Sequence, residues 1–211
     1  MGLFNKKRND EPRLAVADTP SLFMHDDSEG DYGKEAMLDY QMSWVMRVAA
    51  NKAMQEKNSL LHKRCTDILL KLIGKNGCNN IEVISVDVWK QWQHIDVHAN
   101  VIVKCNGEEK KHLVVLEDKA YTMIHSDQLN RYEKTINEVY GKDKYLKGFE
   151  KHFWVITLFD KKHACYRELA SYCNEANAKW KVISLEQLIE NNSTETGSDL
   201  FDEFWIKPWS N

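Results

Sequence analysis

The feature that most constrains the fold is an uninterrupted apolar run, Leu113–Leu116, which follows the dipeptide Asn106-Gly107. A short run of Leu and Val that is bounded by turn signals is typical of a strand buried on both faces. Asn-Gly is typical of a two-residue turn between antiparallel strands. A strand buried on both faces needs cover on both sides, so the run predicts a sheet packed between helices.

The periodicity around this run predicts the covering elements. Apolar residues recur at helical spacing over 34–56 and 59–73, and the glycines at 74 and 77 end the second helix. Alternation of apolar and polar residues over 81–89, and less cleanly over 95–104, predicts two strands before the buried one. The rest of the pattern predicts a helix over 126–140 with Ser126 as its N-cap, a strand over 153–159, a helix over 164–178, a strand over 181–185 and a short helix over 186–190. This order predicts an α/β fold with a mixed sheet, flanked by helices and preceded by a helical extension.

Composition divides the 211 residues into three parts. Residues 1–33 hold two of the three prolines and much charge, which predicts a flexible arm. Residues 34–190 are expected to form a single domain, since 43% of the chain is apolar. Residues 191–211 are expected to be a polar linker and an aromatic tail that docks on the domain. Alternatively, that tail binds a protein partner or a second copy of the chain.

Charge and cysteine content restrict the binding partners and the cellular compartment that can be expected. A net charge of −3 is not that of a protein that coats nucleic acid, although 29 Lys and Arg residues leave room for a local basic groove. No run approaches the roughly 20 apolar residues of a membrane span. The five cysteines are odd in number and form no Cys-x-x-Cys pair, which favours free thiols over disulfides or zinc and predicts a cytoplasmic protein.

Three charged residues form a candidate catalytic set. Glu117 and Lys119 end the buried run and, being alternate residues of a strand, project to the same side. Asp96 begins the preceding strand, and an antiparallel hairpin can bring it beside Glu117. Two carboxylates with a phosphate and waters are the usual ligands of Mg²⁺, and the lysine can orient a water or stabilise charge on a phosphate. The alternative is an ordinary surface Glu-Lys pair and an unrelated aspartate.

A second motif opens the next helix. Gln128 and Tyr132 lie one turn apart on one helix face, where an amide and a phenol can position a base or phosphate. Arg131 and Lys134 on nearby faces can contact the nucleic-acid backbone. Alternatively, Tyr132 packs in the core and Gln128 is solvated.

Asp96, Glu117-x-Lys119 and Gln128-x-x-x-Tyr132, on this order of elements, resemble the PD-(D/E)XK nuclease superfamily. The likeness is to bacterial branches in which the Glu-x-Lys strand leads into a Gln-Leu-x-x-Tyr helix, and it covers about residues 59–185. It implies a restriction-endonuclease-like α-β-β-β-α-β core and hydrolysis of nucleic-acid phosphodiesters, with DNA as the expected substrate and Mg²⁺ or Mn²⁺ as the cofactor. It also implies that Asp96 and Glu117 are metal ligands, Lys119 is the catalytic lysine, and Gln128 and Tyr132 are accessory residues. Ile95 stands where the family pattern has proline.

The resemblance also implies a further acid in the site. Glu35, Asp39, Asp67 and Glu82 are the candidates, and each is alternatively a solvated surface carboxylate. The sequence alone leaves two rival functions open. One is a catalytically silent nucleic-acid-binding module of the same fold, and the other is a protein-interaction domain that uses the acidic arm and aromatic tail.

Overall fold

The computed structural model describes residues 34–78, 80–120, 122–124, 127–176, 179–190 and 194–206. The described residues up to 190 belong to one compact unit, and residues 194–206 belong to a second. Every helix in the described ranges is too short or too polar to cross a bilayer. The predicted arm over residues 1–33 and the predicted N-cap Ser126 lie outside the described residues.

The larger unit has the predicted order of elements. The helix α3, the strands β1, β2 and β3, the helix α4 and the strand β4 follow one another, so the α-β-β-β-α-β order and the N-terminal helical extension are confirmed. The elements are α1 (Lys34–Ala49), α2 (Lys52–Lys57), α3 (Ser59–Leu72), β1 (Ile81–Trp92), β2 (Ile95–Cys105), β3 (Glu108–Lys119), α4 (Gln128–Lys142), β4 (Glu150–Thr157), α5 (Ala164–Ala176), β5 (Trp180–Ser184) and α6 (Leu185–Ile189).

The five strands form one mixed sheet in the order β1-β2-β3-β4-β5. The first three are antiparallel, whereas β3–β4 and β4–β5 are parallel. The strand β3 therefore lies in the middle, and its residues 112–119 are all buried, as the apolar run predicted. It extends three residues beyond Leu116, so that Glu117, Asp118 and Lys119 are part of the buried strand.

The first helix differs from the prediction. The helical pattern over 34–56 is broken after Ala49, and α2 begins at Lys52. The side chain of Asn51 accepts a hydrogen bond of 3.0 Å from the backbone N–H of Met54, and Asn58 accepts one of the same length from Leu61 at the start of α3. Asparagine is more stable at an N-cap than inside a helix, which explains why one predicted helix is two.

Two tight turns join the antiparallel strands. Asn106 and Gly107 both have positive φ, as the predicted two-residue turn requires. The turn between β1 and β2 is less expected, because Gln93 and His94 occupy the same left-handed conformation without glycine, and Gln91 just before them does so too. A left-handed conformation costs a residue with a Cβ about 1–2 kcal/mol. The absence of a turn dipeptide explains why β1 was predicted to end at Trp89, although it continues to Trp92.

The described part of the second unit contains the buried carboxylate of Asp202. A short helix, α7 (Asp199–Phe201), leads into a π-helical turn, Asp202–Ile206. Asp202 accepts hydrogen bonds of 2.8 Å from the backbone N–H of Thr196, 2.8 Å from its hydroxyl and 2.9 Å from the N–H of Gly197. These bonds close the loop that precedes the helix. That the aromatic tail docks on the larger unit stays a prediction.

Candidate active site

The carboxyl end of β3 carries three consecutive buried charged residues. Glu117 is 0%, Asp118 1% and Lys119 6% exposed. Strand alternation places Glu117 and Lys119 on the sheet face that carries α4 and turns Asp118 to the opposite face, towards α1. Burying three charged side chains is unfavourable unless each has a charged or hydrogen-bonding partner, so their partners define the site.

Asp96 joins this strand end through its side chain. The backbone pairing of β2 with β3 ends at Val97 and Leu116. One residue further, Oδ2 of Asp96 accepts the backbone N–H of Asp118 at 2.9 Å, so a carboxylate continues the ladder in place of a carbonyl. The Asp96 side chain thereby lies beside the strand that carries Glu117.

Glu117 has one occupied and one unpartnered oxygen. Its Oε1 lies 2.5 Å from Nζ of Lys119 and accepts a hydrogen bond of 2.7 Å from the side-chain amide of Gln128. Its Oε2 is buried without a hydrogen-bond partner among the described residues. A buried carboxylate oxygen without a donor is unfavourable in isolation and is available to a cation.

Gln128 also connects Glu117 to Tyr132. The same amide nitrogen donates a hydrogen bond of 2.8 Å to the Tyr132 hydroxyl, so its two N–H groups serve two acceptors. The Tyr132 ring is buried in the core beneath α4, where it lies 6.3 Å from the ring of Trp180. The ring of Tyr132 is therefore part of the core, as one interpretation expected, and its hydroxyl is bonded to Gln128. That the hydroxyl serves the site stays a prediction.

The surroundings shift the ionisation of these groups. Burial, and then the charge of Asp96, raise the pKa of Glu117 to about 8, although Lys119 acts in the opposite direction. Burial tends to lower the pKa of Lys119, but the charges of Glu117, Glu35 and Asp96 outweigh it, and the pKa lies above its usual value. Lys119 is therefore a cation at neutral pH, held against a cluster with an excess of carboxyl groups.

On the opposite sheet face, Asp118 and Asp39 of α1 form a second carboxyl pair. Burial, and then contact with Asp39, raise the pKa of Asp118 well above its ordinary value. Burial also raises the pKa of Asp39. The pKa of both groups moves in the direction expected for two adjacent buried carboxyl groups, because burial and mutual repulsion each disfavour the charged form.

Gln91 links Asp39 to Asp96. Its side-chain amide donates to Oδ1 of Asp96 at 3.1 Å and to Oδ2 of Asp39 at 3.4 Å. Lys90 adds a positive charge 3.5 Å from the same oxygen of Asp39. The strained turn of the β1–β2 hairpin therefore holds two polar groups against the carboxylates.

The four candidates for the additional acid separate into two pairs. Glu35 accepts a hydrogen bond of 2.5 Å from the hydroxyl of Thr122 and acts electrostatically on Lys119, and Asp39 lies one helical turn further along α1. Asp67 instead forms a 2.7 Å exposed ion pair with Lys63 on α3. Glu82 is exposed on β1 and lies 3.4 Å from Lys52. The structure thus brings Glu35 and Asp39 to the site and leaves Asp67 and Glu82 with other partners.

The remaining predicted residues lie on the outer side of α4. Arg131 and Lys134 are exposed there, one and two residues from the buried Tyr132. Sequence reasoning missed Gln91 and Thr122, because a glutamine in a strand and a threonine in a loop carry no motif. It also gave Asp118 no role.

The chain matches no protein-family model and no curated protein. It is similar to one solved structure, that of the DNA modification-dependent restriction endonuclease AspBHI, with 12% identity and a TM-score of 0.33. The match covers 84% of this chain but 40% of that chain, so this protein spans less than half of its length. At this TM-score the similarity supports no conclusion about activity, which has to be argued from the side chains described above.

Proposed function

We propose that this protein is a divalent-metal-dependent nuclease of the PD-(D/E)XK type that hydrolyses phosphodiester bonds of nucleic acid, with DNA as the expected substrate. One observation carries the proposal. Asp96, which lies 21 residues before Glu117 in the sequence, meets Glu117 and Lys119 at the end of the central strand, and Nζ of Lys119 lies 2.5 Å from Oε1 of Glu117.

The residues fit a hard divalent cation. Oxygens of Asp96 and the unpartnered Oε2 of Glu117 would hold it, and such all-oxygen ligation suits Mg²⁺ or Mn²⁺. When bound, the ion supplies Lewis-acid polarisation of a phosphoryl oxygen and a lower pKa for a water molecule. Its charge would also act against burial and the charge of Asp96, which together raise the pKa of Glu117.

Lys119 supplies a positive charge at a fixed position. Its ammonium group is almost fully buried, is paired with Glu117 and remains protonated. An ammonium group held in a site shielded from water stabilises charge that develops on a phosphate oxygen more strongly than a solvated lysine does. It can also donate a hydrogen bond that orients the attacking water.

Glu35 is the additional acid in this proposal. Its charge acts on Lys119, whereas Asp39 is engaged with Asp118, Lys90 and Gln91. The two acids are separated by one turn of α1 and can be compared directly. Glu35→Gln is expected to reduce cleavage more than Asp39→Asn does, with both variants confirmed as folded by circular dichroism.

The substrate-binding surface in this proposal is the exposed side of the first two turns of α4. Arg131 and Lys134 would contact backbone phosphates, which positions the strand without reading its sequence. Replacement of either residue by alanine should weaken binding similarly for all sequences and reduce its salt dependence.

The test is a cleavage assay with single- and double-stranded DNA and RNA in Mg²⁺, Mn²⁺ or EDTA. Metal-dependent cleavage that is lost in Lys119→Ala and retained in Lys142→Ala, an exposed lysine at the end of α4, is the expected result. Cleavage that survives Lys119→Ala would contradict the proposal. Binding of nucleic acid without cleavage in every metal would instead favour the silent module.

A further inference from the structure

A second group of potential ligands lies on β3 and β4, away from the end of β3 that carries Glu117. His112 near the start of β3 is the register partner of Glu150, the first residue of β4, and His152 follows two residues later on the same side of β4. Four residues of β3 lie between His112 and Glu117, and the five steps from one to the other span about 16 Å along a strand. The two groups are therefore separate sites.

The three side chains converge closely. Nδ1 of His112 lies 3.0 Å from Nε2 of His152 and 3.4 Å from Oε2 of Glu150. Nε2 of His152 lies 3.9 Å from Oε1 of Glu150. In the described part of the chain, these residues form a group of three ligand atoms that lie within 4.8 Å of one another.

These separations match the edges of a small coordination polyhedron. Four ligands placed tetrahedrally around zinc, with bonds of roughly 2.0–2.1 Å, lie about 3.3 Å from each other. The three measured distances fall on both sides of that value. An ion can therefore be accommodated through small side-chain rotations, without a change in the backbone.

The donor chemistry selects the class of metal. Two imidazoles and one carboxylate suit Zn²⁺ and its neighbours Co²⁺ and Ni²⁺, whereas Mg²⁺ and Ca²⁺ prefer oxygen alone. We propose that His112, Glu150 and His152 form a binding site for Zn²⁺ or a similar transition metal, independent of the acidic site on β3.

Burial indicates how the ion would be held. The side chain of His112 is 1% exposed and that of His152 is 13% exposed, whereas that of Glu150 is 59% exposed. The two histidine rings are largely buried and fixed in position. An ion would reach them from the solvent side, where Glu150 lies. Three protein ligands leave a fourth position for water.

The site lies where the parallel pairing of β3 with β4 begins. Parallel pairing depends on residues far apart in sequence, and an ion shared by β3 and β4 cross-links it where β4 begins. Metal binding to the folded state alone should therefore stabilise the protein.

The experiment uses the full chain without a histidine tag. ZnCl₂ is titrated by calorimetry, the melting temperature is followed with and without zinc, and CoCl₂ is added to record the visible absorption of a low-symmetry cobalt site. The expected result is one zinc ion per chain and a higher Tm. His152→Asn and Glu150→Gln, which alter partly exposed side chains, should each weaken binding by roughly 100-fold or more, since loss of a ligand costs at least as much as loss of a residue that supports one.

Two controls separate this site from other sources of zinc binding. His62→Ala on α3 should leave zinc affinity unchanged, and so should Asp96→Asn, which alters the acidic site. Absence of zinc binding in the tag-free protein would overturn the proposal. Zinc binding that is equal in the wild type, His152→Asn and Glu150→Gln would overturn it as well. Neither result bears on nuclease activity.

Discussion

The side-chain amide of Gln128 is bonded at once to the carboxylate of Glu117 at 2.7 Å and to the hydroxyl of Tyr132 at 2.8 Å. The first turn of α4 is thereby attached to the central strand by a side chain whose two donors both have acceptors. Gln128 and Lys119 contact the same oxygen of Glu117, and together they restrict the rotamer of this side chain.

Gln128→Ala should therefore lower cleavage more than it lowers stability. Residues that orient a metal ligand typically contribute 10- to 100-fold to metal affinity or activity, and we expect a loss of about that size in kcat/KM. The measurement is the cleavage rate as a function of Mg²⁺ concentration, with a shift of the half-maximal concentration to higher values. Glu138→Ala, an exposed position of the same helix, is the control. A rate within twofold of wild type would show that Gln128 does not position Glu117.

Asp96→Asn should remove stabilisation by Mg²⁺ while preserving the fold. Asparagine retains a side-chain oxygen that can accept the N–H of Asp118, but it lacks the charge that a cation needs. In the wild type, Mg²⁺ at 100 times its dissociation constant should raise the free energy of unfolding by about 2.7 kcal/mol, measured as a shift in Tm. Asp67→Asn, which alters an exposed acid of α3, should keep the full shift. An equal shift in both variants would place the Mg²⁺ site elsewhere.

Substitutions in the β1–β2 turn are expected to stabilise the protein. Gln93 and His94 both adopt positive φ, which asparagine and glycine adopt at lower cost. Gln93→Asn combined with His94→Gly should raise the free energy of unfolding by about 1–2 kcal/mol, measured in urea. Gly107→Ala in the other turn is the opposite control and should lose about 1 kcal/mol, since its added Cβ meets no atom and only the backbone is strained. A destabilised double variant would show that the side chains of Gln93 and His94 contribute more than their conformation costs.

Stability should fall at alkaline pH because of two buried thiols. Burial raises the pKa of Cys173 to about 11 and also raises that of Cys65, from an ordinary value of 9.0. The folded protein then holds these protons more tightly than the unfolded chain does. The contribution is complete below pH 9 and is lost as the pH rises from there towards the folded pKa values.

The measurement is the free energy of unfolding from pH 7 to pH 10.5 in a reducing buffer. Cys173→Ser should flatten the decline, because serine does not titrate, whereas Cys78→Ser at an exposed position should leave the slope unchanged. A slope in Cys173→Ser equal to that of the wild type would rule out this thiol as its source.

Asp202→Ala should loosen the smaller unit around residues 196–206. The substitution leaves three donors without their acceptor, two on Thr196 and one on Gly197, at a cost of roughly 1–3 kcal/mol. Hydrogen exchange at the amides of Thr196 and Gly197 should accelerate by one to two orders of magnitude if local opening governs it. Asp199→Ala, an exposed position one turn earlier, should have little effect on either amide. If hydrogen exchange at these two amides is unchanged in Asp202→Ala, the bonds to Asp202 do not stabilise this loop.

Periodicity in the sequence was sufficient for the order of elements. The switch from helical spacing to alternation, the Asn-Gly turn and the apolar run together determine the antiparallel hairpins and the buried β3. The break at Asn51 was not predicted, because an asparagine within a helical pattern can either interrupt the helix or face solvent. The turn at Gln93-His94 was not predicted, because these residues adopt it against their own preference.

Residues of the candidate site differed in how far the sequence could place them. Asp96, Glu117 and Lys119 follow from alternation and hairpin pairing, which act over short distances. The choice among Glu35, Asp39, Asp67 and Glu82 depends on how each helix is rotated against the sheet, which apolar spacing gives only coarsely. The group of His112, Glu150 and His152 depends on the register of parallel strands, which are 38 residues apart at His112 and Glu150 and are joined by no turn that fixes their alignment.

Because the side chain of Asp96 substitutes for a backbone carbonyl at the end of the sheet, the amide of Asp118 is a natural spectroscopic probe of that carboxylate. Any ion that draws electron density from Asp96 must weaken the hydrogen bond received by its oxygen, and the amide proton resonance of Asp118 will move upfield in response. A single nuclear magnetic resonance signal, followed during a magnesium titration, can thus report occupancy without substrate, label or substitution.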